Sequence, residues 1–278
     1  MNTAGLPQGA KAPSQASAGH EVTSVGALSA WPYPRWIAHR GAGRLAPENT
    51  LAAFRLGAAH GYRMFECDAK LSADGVPFLM HDSTLERTTN GNAVLGPGSH
   101  VAGDQSWDLL SRLDAGGWHS RAYAGEPLCT LEGLARFCIA NQYFLNIEIK
   151  PTPGLEQRTG EVAGREAMRL WANAQVPPLL TSFRPEALTG ARDTARHIPR
   201  GLLLDTLWHG WFDVARQLDC VAIVCNYNLW TADVVAQVHA ADMKCVSYTV
   251  NDESVAQYLL GLGTDAMITD RVDLFSPA

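Results

Sequence analysis

From residue 36 onward the chain alternates short apolar runs with helix-length segments. The runs fall at 36–39, 64–68, 144–149, 179–182, 201–204, 221–225, 245–249 and 266–268. Segments 157–173, 184–196, 208–218, 230–241 and 251–261 lie between most of them. A helical crossover predicts parallel neighbours, because a tight turn joins only antiparallel strands. Eight such runs in 278 residues with 46% apolar content predict one (β/α)8 TIM barrel. In the last helical segment Asp252 stands near the cap, with Val255, Tyr258, Leu259 and Leu262 on one predicted face. Near the start, Asn49 reads as the N-cap of a helix carrying Leu51, Phe54, Ala58 and Ala59, stopped at Gly61.

One run breaks the alternation. Residues 76–81 follow the second strand through Ala73-Asp74-Gly75, and Asp-Gly between extended runs signals a two-residue type I′ hairpin. With Asp74-Gly75 as the turn, 73 pairs with 76, 70 with 79 and 68 with 81, which sets His81 opposite Asp68. This hairpin is expected to rise past the barrel top rather than join the eight. The gap 83–143 exceeds a normal crossover, so about 82–128 is predicted to be an insertion over the mouth, a substrate wall or lid. Residues 1–30 lack periodicity and an apolar signal core, and are expected to be a disordered leader before a folded domain at 31–278.

Composition removes several classes of function. A net charge of −6 with both signs interspersed argues against nucleic acid, which needs a basic face. No apolar run approaches the roughly 20 residues of a membrane span. The six cysteines show no C-x-x-C pair and sit mostly in apolar segments, so they read as reduced core thiols and favour the cytoplasm. Nothing in the pattern specifies an oligomeric state.

His39-Arg40-Gly41, Pro47-Glu48-Asn49-Thr50, Glu66-x-Asp68, Asp74-Gly75 and His81-Asp82 occur in order. NIEIK (146–150), TSF (181–183), YTVN (248–251) and ITD (268–270) follow. This set resembles the glycerophosphodiester phosphodiesterase family over roughly Trp31 to the end. WPYPRWIAHRG, LDAGGW and RGLLLD most resemble its short cytosolic bacterial members linked to glycerol-phosphate uptake. The resemblance implies a barrel of the phospholipase C-like phosphodiesterase type and a small glycerophosphodiester as substrate.

Residues two apart on a strand share a face, so Glu66 and Asp68 point one way and Cys67 the other. Asn146, Glu148 and Lys150 likewise share a face. If these faces meet in the barrel mouth, three carboxylates converge with too few fixed cations, a costly arrangement without a bound ion. All-oxygen ligation suits one hard divalent cation, Mg²⁺ first and Mn²⁺ or Ca²⁺ next. The resemblance implies Glu66, Asp68 and Glu148 as its ligands, and His39 and His81 as general acid and base, without saying which is which. Arg40 and Lys150 suit phosphate binding or ion pairs to the acidic cluster. Glu48 suits either the orientation of Arg40 or a histidine, or a helix N-terminal charge. Phe183 and Tyr248 suit either the pocket wall or the core. The expected reaction is metal-dependent hydrolysis of diesters such as glycerophosphocholine or glycerophosphoethanolamine to glycerol 3-phosphate and an alcohol. It can run by direct water attack or through a cyclic phosphate. The rival readings are a phospholipase-like lyase that stops at the cyclic product, and a non-catalytic barrel that binds such diesters.

Overall fold

The computed structural model describes residues 1–2 and 31–277. The expected leader therefore lies, from residue 3 to residue 30, outside the described residues. Eight parallel strands close a barrel: β1 (Trp36–Ala38), β2 (Met64–Leu71), β4 (Phe144–Ile149), β5 (Leu179–Ser182), β6 (Arg200–Leu204), β7 (Ala222–Asn226), β8 (Lys244–Tyr248) and β9 (Ala266–Thr269). Pairing of β1 with both β2 and β9 completes the ring. The remaining strand, β3 (Pro77–Leu79), runs antiparallel on β2, outside the eight. The predicted (β/α)8 barrel is therefore the observed one.

The outer layer holds α1 (Leu51–Ala59), α4 (Leu131–Ala140), α5 (Glu156–Leu170), α6 (Pro185–Thr194), α7 (Trp211–Gln217), α8 (Ala232–His239) and α9 (Glu253–Leu262). Two short helices, α2 (Gly91–Leu95) and α3 (Trp107–Leu110), belong to the 82–128 segment. Strand alternation divides the core into two shells. Ile37, Met64, Leu179, Leu203, Val224, Val246 and Ile268 fill the barrel, whereas Phe65, Cys67, Ile147 and Leu180 pack outward against the helices. All six cysteines are buried and unpaired.

Three local expectations are corrected. The hairpin register is Ala69 with Leu79, Lys70 with Phe78 and Leu71 with Pro77, one residue from the expected pairing. The turn has three residues, because Ser72 N–H donates to the Val76 carbonyl at 3.0 Å and the Ser72 hydroxyl accepts from Val76 N–H at 2.9 Å. Gly75 takes φ +84° at its last position, the left-handed residue that a type I turn with a bulge requires. Met80, not His81, thus bonds to Asp68, its N–H donating to the Asp68 carbonyl at 2.9 Å. The N-cap of α1 is Thr50, whose hydroxyl accepts from Ala53 N–H, while Asn49 is buried at φ +61°. On α9, Ala256 and Leu259 are buried and Tyr258 is exposed, since it stands at the edge of the stripe the other apolar residues define. The cap at Asp252 is as expected.

The 82–128 segment carries its own small core of Leu85, Ala102, Leu110, Leu113, Ala115 and Leu128 beneath the hairpin residues Phe78 and Met80. It is tied to the first turn of α1 by Glu126 accepting from Ala52 N–H at 3.0 Å, and to the β1–α1 connection by a 3.1 Å contact of His119 Nε2 with the Arg44 carbonyl.

Candidate active site

Parallel pairing of β2 with β4 puts Glu66 beside Asn146 and, one inward step nearer the strands' C-terminal ends, Asp68 beside Glu148. Glu66, Asp68 and Glu148 each offer an oxygen within 4.8 Å of the others. Asp68 and Glu66 are buried. Burial, then the like charges of Asp68 and Glu148, pushes the Glu66 carboxyl well above the usual carboxylate range. Burial and Asp68 push Glu148 up in the same way. Asp68 is held down: burial opposes its ionisation, but Arg40, Lys150, His81 and the Asn49 amide outweigh it. One anion is stabilised at the expense of two others, as expected of three carboxylates that share one buried site.

Two oxygens of the cluster, Glu66 Oε1 and Asp68 Oδ1, are buried without a hydrogen-bond partner. Buried polar atoms are ordinarily satisfied, and an orphaned carboxylate oxygen is costly. A divalent cation between them would satisfy both, and three oxygen donors suit Mg²⁺, Mn²⁺ or Ca²⁺. The residues present therefore fit the ion.

Around the cluster stand the two predicted histidines. His39 Nδ1 lies 2.6 Å from Asp270 Oδ1, and its Nε2 lies 3.8 Å from Glu66 Oε2. An ionised carboxylate can only accept, so Nδ1 carries the proton and Nε2 faces the cluster. Asn251 secures Asp270, its amide donating to Oδ2 and its carbonyl accepting from Asp270 N–H, both at 2.9 Å. His81 Nδ1 lies 2.9 Å from Asp82 Oδ1, again leaving Nε2 free of that bond. Burial, aided by Arg40 and Lys150, lowers the His81 imidazole below its ordinary value against the pull of Asp68 and Asp82.

Arg40 approaches Asp68 at 3.1 Å off the hydrogen-bond direction, and donates to Glu48 at 2.9 Å. Its backbone takes φ +51° so that its N–H reaches Glu66 Oε2 at 3.1 Å. Glu48 therefore touches Arg40 rather than a histidine, and it also receives two 2.8 Å bonds from Arg87. Lys150 bonds to Glu148 at 3.0 Å and lies 3.9 Å from Asp68. Phe183 and Tyr248 meet edge to face at 5.9 Å, with the Lys150 ammonium 5.9 Å from the Phe183 ring centre. The Tyr248 hydroxyl donates to the Leu204 carbonyl at 2.9 Å. A cleft of about 530 Å³ opens beside the cluster between His81, Lys150 and Phe183.

All ten predicted site residues thus gather at one end of the barrel. Missing from that set were Asp270 and Asn251, which orient His39; Asp82 and Arg87, which orient His81; and Asn49, whose amide donates to Asp68 Oδ2 at 2.8 Å. Asn49, Asp82, Asn251 and Asp270 sit inside the ordered motifs, which was their only signal.

Glycine sets the spacing between His39 and Asp270. Gly43 lies at φ +56°, and a Cβ there would overlap the Asp270 backbone. Gly43→Ala is expected to displace Asp270, lowering turnover by about tenfold or more and reducing the melting temperature. Unchanged turnover would mean that the His39–Asp270 geometry tolerates the shift.

Residues 39–274 match the model of the glycerophosphoryl diester phosphodiesterase family. A glycerophosphodiester phosphodiesterase of Caldanaerobacter subterraneus is 28% identical over 242 residues, covering 84% of this chain and 93% of its own. An Oleispira antarctica phosphodiesterase, solved with the product sn-glycerol 3-phosphate, superposes with a TM-score of 0.77 at 32% identity. It covers 85% of this chain and 93% of its own. A glycerophosphodiester phosphodiesterase of Agrobacterium tumefaciens superposes with a TM-score of 0.69 at 25% identity, covering 88% of this chain and all of its own.

Proposed function

The chain belongs to the glycerophosphoryl diester phosphodiesterase family, and from that premise we propose that its barrel mouth hydrolyses small glycerophosphodiesters to glycerol 3-phosphate and an alcohol. One observation carries the reading: two orphaned, buried carboxylate oxygens of Glu66 and Asp68, flanked by two carboxylate-oriented histidines and the cations Arg40 and Lys150. Glu66, Asp68 and Glu148 would hold one divalent ion, Mg²⁺ by preference. A bound ion there would supply Lewis-acid polarisation of the phosphoryl group and offset its charge. Arg40 and Lys150 add fixed positive charge where the phosphoryl oxygens gain electron density. His39 and His81 present Nε2 to opposite ends of the reacting diester, one removing a proton from the nucleophile and the other donating to the departing alkoxide. Asp270 and Asp82 hold their tautomers. The product bound by the Oleispira phosphodiesterase supports glycerol 3-phosphate as the product here.

The working unit is the domain from residue 31, with the 82–128 segment as one wall of the mouth. Six buried, unpaired cysteines support a reducing, cytoplasmic setting. Among the described residues no helix is long and apolar enough to cross a membrane. Glycerophosphocholine and glycerophosphoethanolamine are the substrates to try first. Phosphorus NMR of a reaction mixture tests the reaction class: glycerol 3-phosphate with free alcohol supports hydrolysis, whereas a persistent cyclic phosphate makes the enzyme a lyase.

Asp270→Asn keeps the shape of the His39 contact but lets the amide favour the wrong tautomer. We expect kcat to fall by roughly 10²–10⁴ with KM little changed. An equal rise in KM would instead place Asp270 in substrate binding.

A further inference from the structure

Lys70 is the inward residue that follows Glu66 and Asp68 on β2, roughly 7 Å further toward the mouth along the strand. It is only 3% exposed, and among the described residues it forms no ion pair. One of its three N–H donors reaches the Lys150 carbonyl, at 3.4 Å. Strand register sets Lys70 and Lys150 at one level, yet their side chains diverge. Lys150 turns back to Glu148 and Asp68, whereas Lys70 crosses the end of β4 to line the cleft beside them.

The cleft's two carboxylates are already committed, Asp82 to His81 and Arg87 and Glu148 to Lys150. Arg184, on the β5 side of the same cleft, makes no ion pair among the described residues, and its backbone is pinned by an N–H bond to Ser182 Oγ at 3.1 Å. Ser182 Oγ in turn donates to the Ile149 carbonyl at 2.7 Å, tying the Arg184 turn to the strand that Lys70 crosses. A buried ammonium is ordinarily paired, and its natural complement is an anion that arrives with the ligand.

We propose that Lys70 and Arg184 form an anion subsite for the alcohol half of the substrate, so that diesters whose alcohol carries a carboxylate or phosphate are favoured over those that carry only an ammonium. The inference rests on the hydrolase reading, which puts the scissile phosphate at Glu66, Asp68 and Glu148. Lys70 and Arg184 are specificity determinants, one step removed from the reacting atoms.

Glycerophosphoserine and glycerophosphoethanolamine differ by one carboxylate, and their ratio of kcat/KM reads the subsite. The wild type should prefer the serine diester. Lys70→Met should shrink that preference by about tenfold to a hundredfold, the worth of a charge-assisted hydrogen bond. Lys70→Arg should retain most of it, and Arg184→Met should reduce it. A ratio unmoved by Lys70→Met, or losses equal on both diesters, would overturn the subsite and return Lys70 to the scissile phosphate or to packing. If Lys70→Met fails to fold by circular dichroism, the exposed Arg184→Met decides: an unchanged ratio overturns the proposal. Wild-type protein that cleaves neither diester would overturn the hydrolase reading itself, a result distinct from cleavage of both without preference.

Discussion

Glu66→Gln is expected to lower metal-dependent turnover by at least about a thousandfold while the barrel remains folded. The amide keeps the shape of the carboxyl but offers one neutral oxygen in place of an anion, and the ion proposed to sit there would carry much of the charge stabilisation. The change should not cost stability in the metal-free protein. Burial and the like charges of Asp68 and Glu148 already disfavour ionised Glu66, so an uncharged amide there adds no electrostatic cost. The metal-free variant should melt no lower than the metal-free wild type. Saturating Mg²⁺ should raise the wild-type melting temperature and raise that of the variant far less, because stabilisation follows affinity for the folded state. Turnover close to wild type would remove Glu66 from the ligand set. A large fall in the metal-free melting temperature would make it a structural residue instead.

His39→Ala and His81→Ala are each expected to cost roughly 10²–10⁴ in kcat. Both rings are held by a carboxylate at Nδ1 and turn Nε2 away from it, so truncation removes the proposed proton carrier and leaves its holder behind. The two variants should part company on a diester with an acidic leaving group. Such an alcohol departs without protonation, so the variant lacking the general acid should recover most of its loss. The variant lacking the base should not recover. Equal recovery by both would contradict a division of labour between the rings, and no loss in either would remove histidine from the chemistry.

The barrel was legible because its signals are local. Each strand run from 144–149 to 266–268 lies within a residue or two of an observed strand, and Asp252 caps the helix it precedes. Period-two alternation also sorted Glu66 and Asp68 from Cys67 correctly. The hairpin slipped because Asp74-Gly75 fits two turns that differ by one residue. Ser72 selects the longer one, its hydroxyl donating to Asp74 at 2.6 Å and accepting from Val76. A one-residue slip inverts every facing along a strand, yet His81 lies beyond β3, where the chain leaves the ladder and Asp82 sets the ring.

The orienting residues were hidden for another reason. His39 and Asp270 are 231 positions apart and meet only because β1 closes on β9. No spacing rule connects them. Arg87 belongs to the 82–128 segment, outside the alternating frame, and its bonds to Glu48 and Asp82 depend on how that segment folds back over the rim. Asn49 looked like a helix cap because its chemistry is that of a cap. Its left-handed backbone turns the amide to Asp68 and leaves the capping bond to Thr50.

The central claim is that the carboxylate cluster holds the ion on which hydrolysis depends. The most direct measurement is glycerol 3-phosphate release from glycerophosphocholine by EDTA-stripped protein, with Mg²⁺, Mn²⁺ or Ca²⁺ then restored in turn. We predict no release from the stripped protein, recovery with at least one ion, Mg²⁺ foremost, and no recovery by Glu66→Gln under the same conditions. Full release from stripped protein, or equal recovery by Glu66→Gln, would contradict the claim.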